Sequence, residues 1–151
     1  MPEIRDAVLS DAELVAPILR QVDLDEIAAS SGRNPLRVLR LSILSSDVCR
    51  IGLVDGVPAC IYGVAQPTVM SDVGSIWMLG THILQDHAVT FLRRNKAEVE
   101  AMSEGFSRLE NHCDARNKPT LRWLKWLGFT IEDAKPYGVK GLPFHYFWKD
   151  V

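Results

Sequence analysis

The run from Asn111 to Phe129 constrains the fold more than any other part of this chain. It reads as the end of a strand, a polar turn, a short apolar helix and a glycine stop. Pro119 suits the first turn of a helix, where its missing N–H costs nothing. Asn117 lies just before it, where a side-chain oxygen can accept from a free helix N–H. Leu121, Leu124 and Leu127 recur at helical spacing, and Trp123 and Trp126 fill most of what remains. Only Arg122 and Lys125 make a polar stripe, so the helix is expected to be buried on most sides, with both tryptophans in the core. Gly128 can take the left-handed conformation that ends a helix, and Phe129 to Glu132 starts the next strand.

The elements before it follow in order. Glu3 to Ala7 is a short strand candidate. Ser10 and Glu13 have capping-box spacing, with Leu14, Val15, Ile18 and Leu19 as the apolar face of the helix they open. A second helix is expected over Leu24 to Ser30, stopped by Gly32. Asn34-Pro35 caps and opens a third, with Leu36, Leu39, Ile43 and Leu44 as its buried face. Val48 to Val54 and Val57 to Val64 are strands joined by Asp55-Gly56, a strong hairpin signal because both turn residues need positive φ. A two-residue turn sets Ile51 opposite Cys60 and Cys49 opposite Tyr62. Both strands are apolar on both faces, as in a sheet covered on two sides.

Ala65 to Gly74 reads as a loop and Ser75 to Thr81 as a central strand. Asp86-His87-Ala88 begins the longest helix, which runs to about Ser103 with Leu92, Val99, Met102 and Phe106 inward. Arg108 to Asp114 is the strand that enters the opening motif. After an irregular connection marked by Pro136, Gly138, Gly141 and Pro143, Phe144 to Trp148 is the last strand. This order predicts a mixed α/β (α+β) sandwich.

At 151 residues the chain is expected to be one domain, 1–151. A net charge of −2 argues against a nucleic-acid partner, and the basic stripes Arg33/Arg37/Arg40 and Arg93/Arg94/Lys96 read as solvated helix faces. No apolar run approaches the roughly 20 residues that span a bilayer. The N-terminus lacks the basic start and apolar core of a signal peptide. Cys49, Cys60 and Cys113 are odd in number and scattered, which favours reduced thiols and a cytoplasmic location. The four histidines show no convincing metal-ligand spacing, so no metal site is expected.

The Asn…Leu…Leu-Gly-Phe pattern after a strand resembles the last motif of the GNAT acyltransferase superfamily. The fuller pattern, Asn111 and Asn117 followed by Arg122 to Phe129, is similar to a tailed-phage and prophage family that includes the internal virion "protein A" type. The group Arg20, Asp23 and Glu26 resembles that family too. The resemblance implies a central, mostly antiparallel sheet with one splayed parallel pair and helices on both faces. It implies acetyl-CoA bound between the strands at Ser75–Thr81 and Arg108–Asp114, with the long helix aiming its N-terminus at the pyrophosphate.

Carried over residue by residue, the cofactor slot comprises the backbone of Leu79, Gly80 and Thr81, with Gln85, His87 and Ala88. Ala88 stands where the family has a first glycine and Thr90 where it has a second small residue, and Asp86 adds a negative charge. Leu124 occupies the place of a proton-donating tyrosine. Glu110 and His112 are the candidates for a general base, beside their structural readings as a solvated strand residue and a half-buried partner. Asn111 and Asn117 either tie the strand end and cap the helix or contact the cofactor's pantetheine arm or a peptide. Asp23 and Glu26 either receive an amine or pair with Arg20. Two functions follow: a catalytically degenerate fold that serves virion assembly or binds a phage or host protein, or an acetyl-CoA-dependent N-acyltransferase acting on an amine.

Overall fold

The structure, a computed structural model, describes residues 2–151. Eight strands form one sheet in the order β1–β2–β3–β4–β5–β8–β6, with β7 paired to β8. They are β1 (Pro2–Asp6), β2 (Ser46–Val54), β3 (Val57–Ala65), β4 (Val73–Gly80), β5 (Arg108–Asp114), β6 (Thr130–Ile131), β7 (Lys135–Tyr137) and β8 (Leu142–Asp150). Every pairing is antiparallel except β4–β5. The helices are α1 (Asp11–Val15), α2 (Gln21–Ser30), α3 (Pro35–Ser45), α4 (Leu84–Met102) and α5 (Lys118–Trp126). This is the mixed α/β sheet with a splayed parallel pair that the sequence implies.

Two apolar layers hold the helices on opposite faces. Val15, Ile27 and Leu39 of α1–α3, with Leu19 between α1 and α2, pack on Ile51, Leu53, Ile61 and Leu79. Phe91, Val99 and Met102 of α4, with Trp123, Leu124 and Leu127, pack on Cys60, Tyr62, Val64, Ile76 and Leu109. The alternation of side chains along a strand sends neighbours such as Ile61 and Tyr62 to opposite faces, so both faces must be apolar.

The opening motif folds as read. Asn117 Oδ1 accepts from Thr120 N–H at 3.4 Å. At the other end Gly128 has φ 91°. Gly128 N–H donates to Lys125 O, and Phe129 N–H to Leu124 O. That bond pair is a Schellman motif, and Phe129 enters the core behind it. Trp126 departs from expectation: it is half exposed, under Lys96 Nζ at 5.1 Å from its ring centroid.

Other expectations need correction. Ser10 makes no capping bond. Asp11 turns inward instead, accepting from Arg5 and from Val8 N–H, because a buried carboxylate there meets a guanidinium at 2.9 Å. Leu14 and Leu44 face outward. The second helix starts at Gln21, so Asp23 lies in its first turn. The hairpin turn has both residues at positive φ (Asp55 50°, Gly56 79°). Val54 pairs with Val57 and Leu53 with Pro58 as expected, but then the register shifts, so that Gly52 faces Cys60 and Ile51 faces Ile61. Pro58 has no N–H to give the ladder, and the extra residue it forces, Ala59, turns its carbonyl to Thr81 N–H at 3.0 Å. Finally, α4 begins at Leu84, earlier than expected, because Leu84 is itself buried and the Thr81 hydroxyl accepts from Ile83 N–H at 3.2 Å.

Candidate functional site

The parallel pair β4–β5 is bonded only where Val73, Gly74 and Ser75 meet Arg108, Leu109 and Glu110. Beyond Glu110 the strands diverge. Asn111 closes the inner end of the fork: its Nδ2 donates to Ile76 O at 2.7 Å, and its Oδ1 accepts from His112 N–H at 2.8 Å. The Nδ2 of Asn111 is thus the crossbar between the strands, and its Oδ1 is taken within β5.

The outer end is pinned by the start of α2. Gly80 N–H donates to Asp23 Oδ2 at 3.1 Å, and Gly80 O accepts from Arg20 N–H at 3.0 Å. Arg20 Nε donates to Asp23 at 2.7 Å, and its Nη2 reaches Thr120 Oγ1 at 3.3 Å. Asp23 is fully buried, and burial raises its pKa against the pull of Arg20. Thr81 is also turned inward, its hydroxyl donating to Pro58 O. Gly80 and Thr81 therefore spend their backbone groups inside the protein.

Backbone groups alternate between the two sides of a strand. With Ile76 O taken by Asn111 and Gly80 by α2, Met78 is the residue between them whose peptide edge faces the gap. Sequence reasoning missed it, because the alternation could be placed only once the fork point was known.

Two cavities meet at this gap. The first, of about 530 Å³, lies between α4 and α5 and is lined by Arg20, Met78, Gln85, Ala88, Asn95, Arg122 and Trp123 among others. The first turn of α4 opens beside it, with Ile83 making no side-chain cap. The N–H groups of Ile83, Leu84 and Asp86 already bond Thr81 and Ile83, so it is the positive dipole end of the helix that favours an anion there, and Asp86 in the same turn works against one. His87 is not in this lining. The second cavity, of about 220 Å³, lies on the α2–α3 side and is lined by Glu26, Ile27, Leu79, His112, Tyr137 and Phe144 among others. Met78, Thr120 and Trp123 line both, so the two cavities share a wall at the gap.

Within the second cavity Glu26 accepts from Asp114 N–H at 2.7 Å. Burial is the main cause that lifts its pKa to about 7, with the nearby Asp23 carboxylate adding to it and the Asp114 N–H opposing. The Cys113 thiol beside it is pushed up by burial and by Glu26, so it stays protonated. His112 stacks on Tyr137 at 3.9 Å and meets Tyr146 at 5.4 Å. Burial lowers its pKa, which keeps the imidazole neutral at pH 7.

Glu110 points elsewhere and accepts from the Tyr146 hydroxyl at 2.8 Å. Asn117 is buried in its capping place, with Nδ2 unbonded among the described residues. Leu124 is in the core and offers no proton. Of the residues singled out from sequence, the fork brings together Leu79, Gln85, Ala88, Asn111, His112 and Glu26. It leaves Glu110, His87, Asp23, Gly80, Thr81 and Asn117 outside either lining. Among the described residues no group of three or more metal-ligating side chains is assembled, and no helix is long and apolar enough to cross a membrane.

No protein-family model matches the sequence, and no curated protein does. Solved structures do match. A putative acetyltransferase from Salmonella typhimurium, solved with its cofactor acetyl-CoA, aligns with TM-score 0.73 at 16% identity over 99% of this chain and 93% of its own. A ribosomal-protein-alanine N-acetyltransferase from Brucella melitensis gives TM-score 0.73 at 14% identity over 99% of each chain. A GNAT-family acetyltransferase from Streptococcus pneumoniae gives 0.64 at 21% identity over the whole of both. At such identities the likeness is one of backbone, and what it establishes is that this chain has the GNAT acetyltransferase fold.

Proposed function

We propose that the protein is an acyl-CoA-dependent N-acyltransferase that joins an acyl donor and an amine across the β4–β5 gap. The observation that carries this reading is the adjacency of two cavities at the gap, a cleft at the α4 N-terminus and an apolar cavity holding one carboxylate and one neutral imidazole, with Met78, Thr120 and Trp123 lining both. A two-substrate transfer needs two chambers that meet where the bond forms.

The residues present suit acyl-CoA in three places. The gap-facing edge of Met78 suits the amides of the pantetheine arm, in the manner of a strand added to a sheet edge. The first turn of α4, with Gln85 and Ala88 in the lining, suits a phosphate. Arg122, exposed and without an ion-pair partner among the described residues, supplies the cation at the mouth that Asp86 makes necessary. When bound, the thioester supplies the activated acyl group. His112, neutral at the wall of the amine chamber, is the group placed to take the amine's proton. Asn111 and the Asp23–Arg20 pair act by holding the two ends of the fork, and Glu110 by holding Tyr146.

The other reading keeps the fold as a degenerate platform that binds a phage or host protein, and it rests on Ala88, Thr90 and Leu124. The pair of cavities flanking the gap favours the transferase, since a platform has no need of two adjoining chambers.

Calorimetric titration with acetyl-CoA and with CoA tests the proposal. Micromolar binding is expected, weakened about tenfold by Arg122→Ala, the cost of losing one charge-assisted phosphate contact. No heat and no thermal shift at millimolar acetyl-CoA would overturn it.

A further inference from the structure

The amine chamber carries its own information about the acceptor. Ile27, Val38, Phe129, Phe144 and Phe147 give it apolar walls, and Tyr137 stacked on His112 adds an aromatic one. Glu26 is the one acidic residue in the lining. No lysine or arginine lines it, and burial keeps His112 neutral. The polar groups of Asn111 are already bonded within the fork. A cavity of about 220 Å³ has room for one ring and a short arm, and little more.

From this we infer that the acceptor is a primary amine carried on a single apolar or aromatic body, held with its ammonium on Glu26. The inference rests on the transferase reading above for the reaction, but not for the binding. An acceptor with several ammonium groups meets only one carboxylate here, so each further charge would lose its water without gaining a partner. A neutral body of the same shape would fill the apolar walls and leave the Glu26 carboxylate buried and unmatched. Both are rejected by the same feature, a single charge in an apolar chamber. Fixing the ammonium on Glu26, whose other role is to accept from Asp114 N–H at the end of β5, sets the acceptor beside His112 on the same strand.

The probes are 2-phenylethylamine, 2-phenylethanol and spermidine, titrated without any acyl donor at a pH above 7.5, where Glu26 is ionised. Binding of 2-phenylethylamine at least tenfold tighter than either of the others is expected. Glu26→Gln should weaken it at least tenfold while leaving acetyl-CoA binding unchanged. Spermidine or 2-phenylethanol binding as tightly as 2-phenylethylamine would overturn the inference. So would an unchanged affinity in Glu26→Gln. The comparison of the three probes on the unaltered protein decides the matter even if the variant folds poorly. Acetyl-CoA binding with no amine binding would sink this inference alone, whereas amine binding with no acetyl-CoA binding would sink the transferase reading and leave the amine site standing.

Discussion

Replacing Glu26 with glutamine is expected to make the protein more stable above neutral pH, and to leave it nearly unchanged below pH 4.5. Glu26 in the folded chain has its pKa raised from 4.5 to about 7, mainly by burial. A carboxyl whose folded pKa lies above its unfolded one binds more protons in the folded state across that interval. Stability therefore falls as pH rises from 4.5 to about 7, and is flat outside. At 1.36 kcal/mol per unit the loss comes to about 3 kcal/mol.

Glutamine keeps an oxygen for Asp114 N–H and carries no charge, so the variant should escape the loss. Other groups slope differently. Asp11 and Asp114 are held low by Arg5 and Arg116, so their contributions are complete above about pH 4. His112, lowered by burial, adds stability as pH rises toward 6.5. The slopes of Asp11 and His112 are common to both proteins and cancel in the difference; Asp23, raised by burial, and Asp114 feel the Glu26 charge, so its removal adds to the gain above neutral pH. Denaturant unfolding at pH 4, 6 and 8 measures it. A difference that does not grow between pH 4 and pH 8 would mean that Glu26 is not the strained carboxylate described here. The strain has a use: a buried carboxylate that costs stability is what a single ammonium is attracted to.

How much of this was legible beforehand differs from element to element. β5 was read at its true bounds, Arg108–Asp114, because the strand is flanked by a helix on either side with clear ends. The Gly128 stop and the Asp55-Gly56 turn were legible because only certain residues tolerate positive φ. The register shift at Pro58 carried a signal that a rule of paired positions ignored, a residue with no donor inside a strand. Sequence places the start of α4 at Asp86, two residues late, because the burial of Leu84 and the Thr81 hydroxyl, both tertiary, decide where the helix begins. Phe91 and Asn95 share the buried face of Leu84, Val99 and Met102 on α4, and Leu92, expected inward, is only partly buried.

The site divides along similar lines. Asn111 was marked by its place in a motif, but its crossbar role needs Ile76 from another strand. Asp23 and Glu26 lie one helical turn apart and read alike in sequence. Only the seating of α2 against β4 and β5 separates them: Asp23 ends on Gly80 N–H and Glu26 on Asp114 N–H, in the wall of a cavity.

Asp23→Ala is expected to be the most destabilising single substitution near the site, at about 3–5 kcal/mol, the usual cost of breaking a buried ion pair from one side. The side chains of Asp23 and Arg20 are 1% and 16% exposed, so the guanidinium left behind has little water to turn to. Gly80 N–H loses its acceptor at the same time. For a domain of this length such a loss lowers Tm by roughly 10 °C. The defect is specific in its remedy. Arg20→Met removes the stranded charge, and Asp23→Asn retains an oxygen for Gly80 N–H. The double variant Arg20→Met/Asp23→Asn is therefore expected to recover at least half of the stability that Asp23→Ala loses, because replacing both partners of a buried pair is far cheaper than removing one. Thermal unfolding of the two variants beside the unaltered protein measures this. The double variant has a second consequence. Arg20 lines the cleft between α4 and α5 and also reaches Thr120 on α5. With it gone the outer end of the fork is no longer tied to α5, and acetyl-CoA affinity should fall even where stability returns. A fall in stability below 1 kcal/mol for Asp23→Ala would show that the start of α2 does not pin β4, and that the width of the gap is set by Asn111 alone.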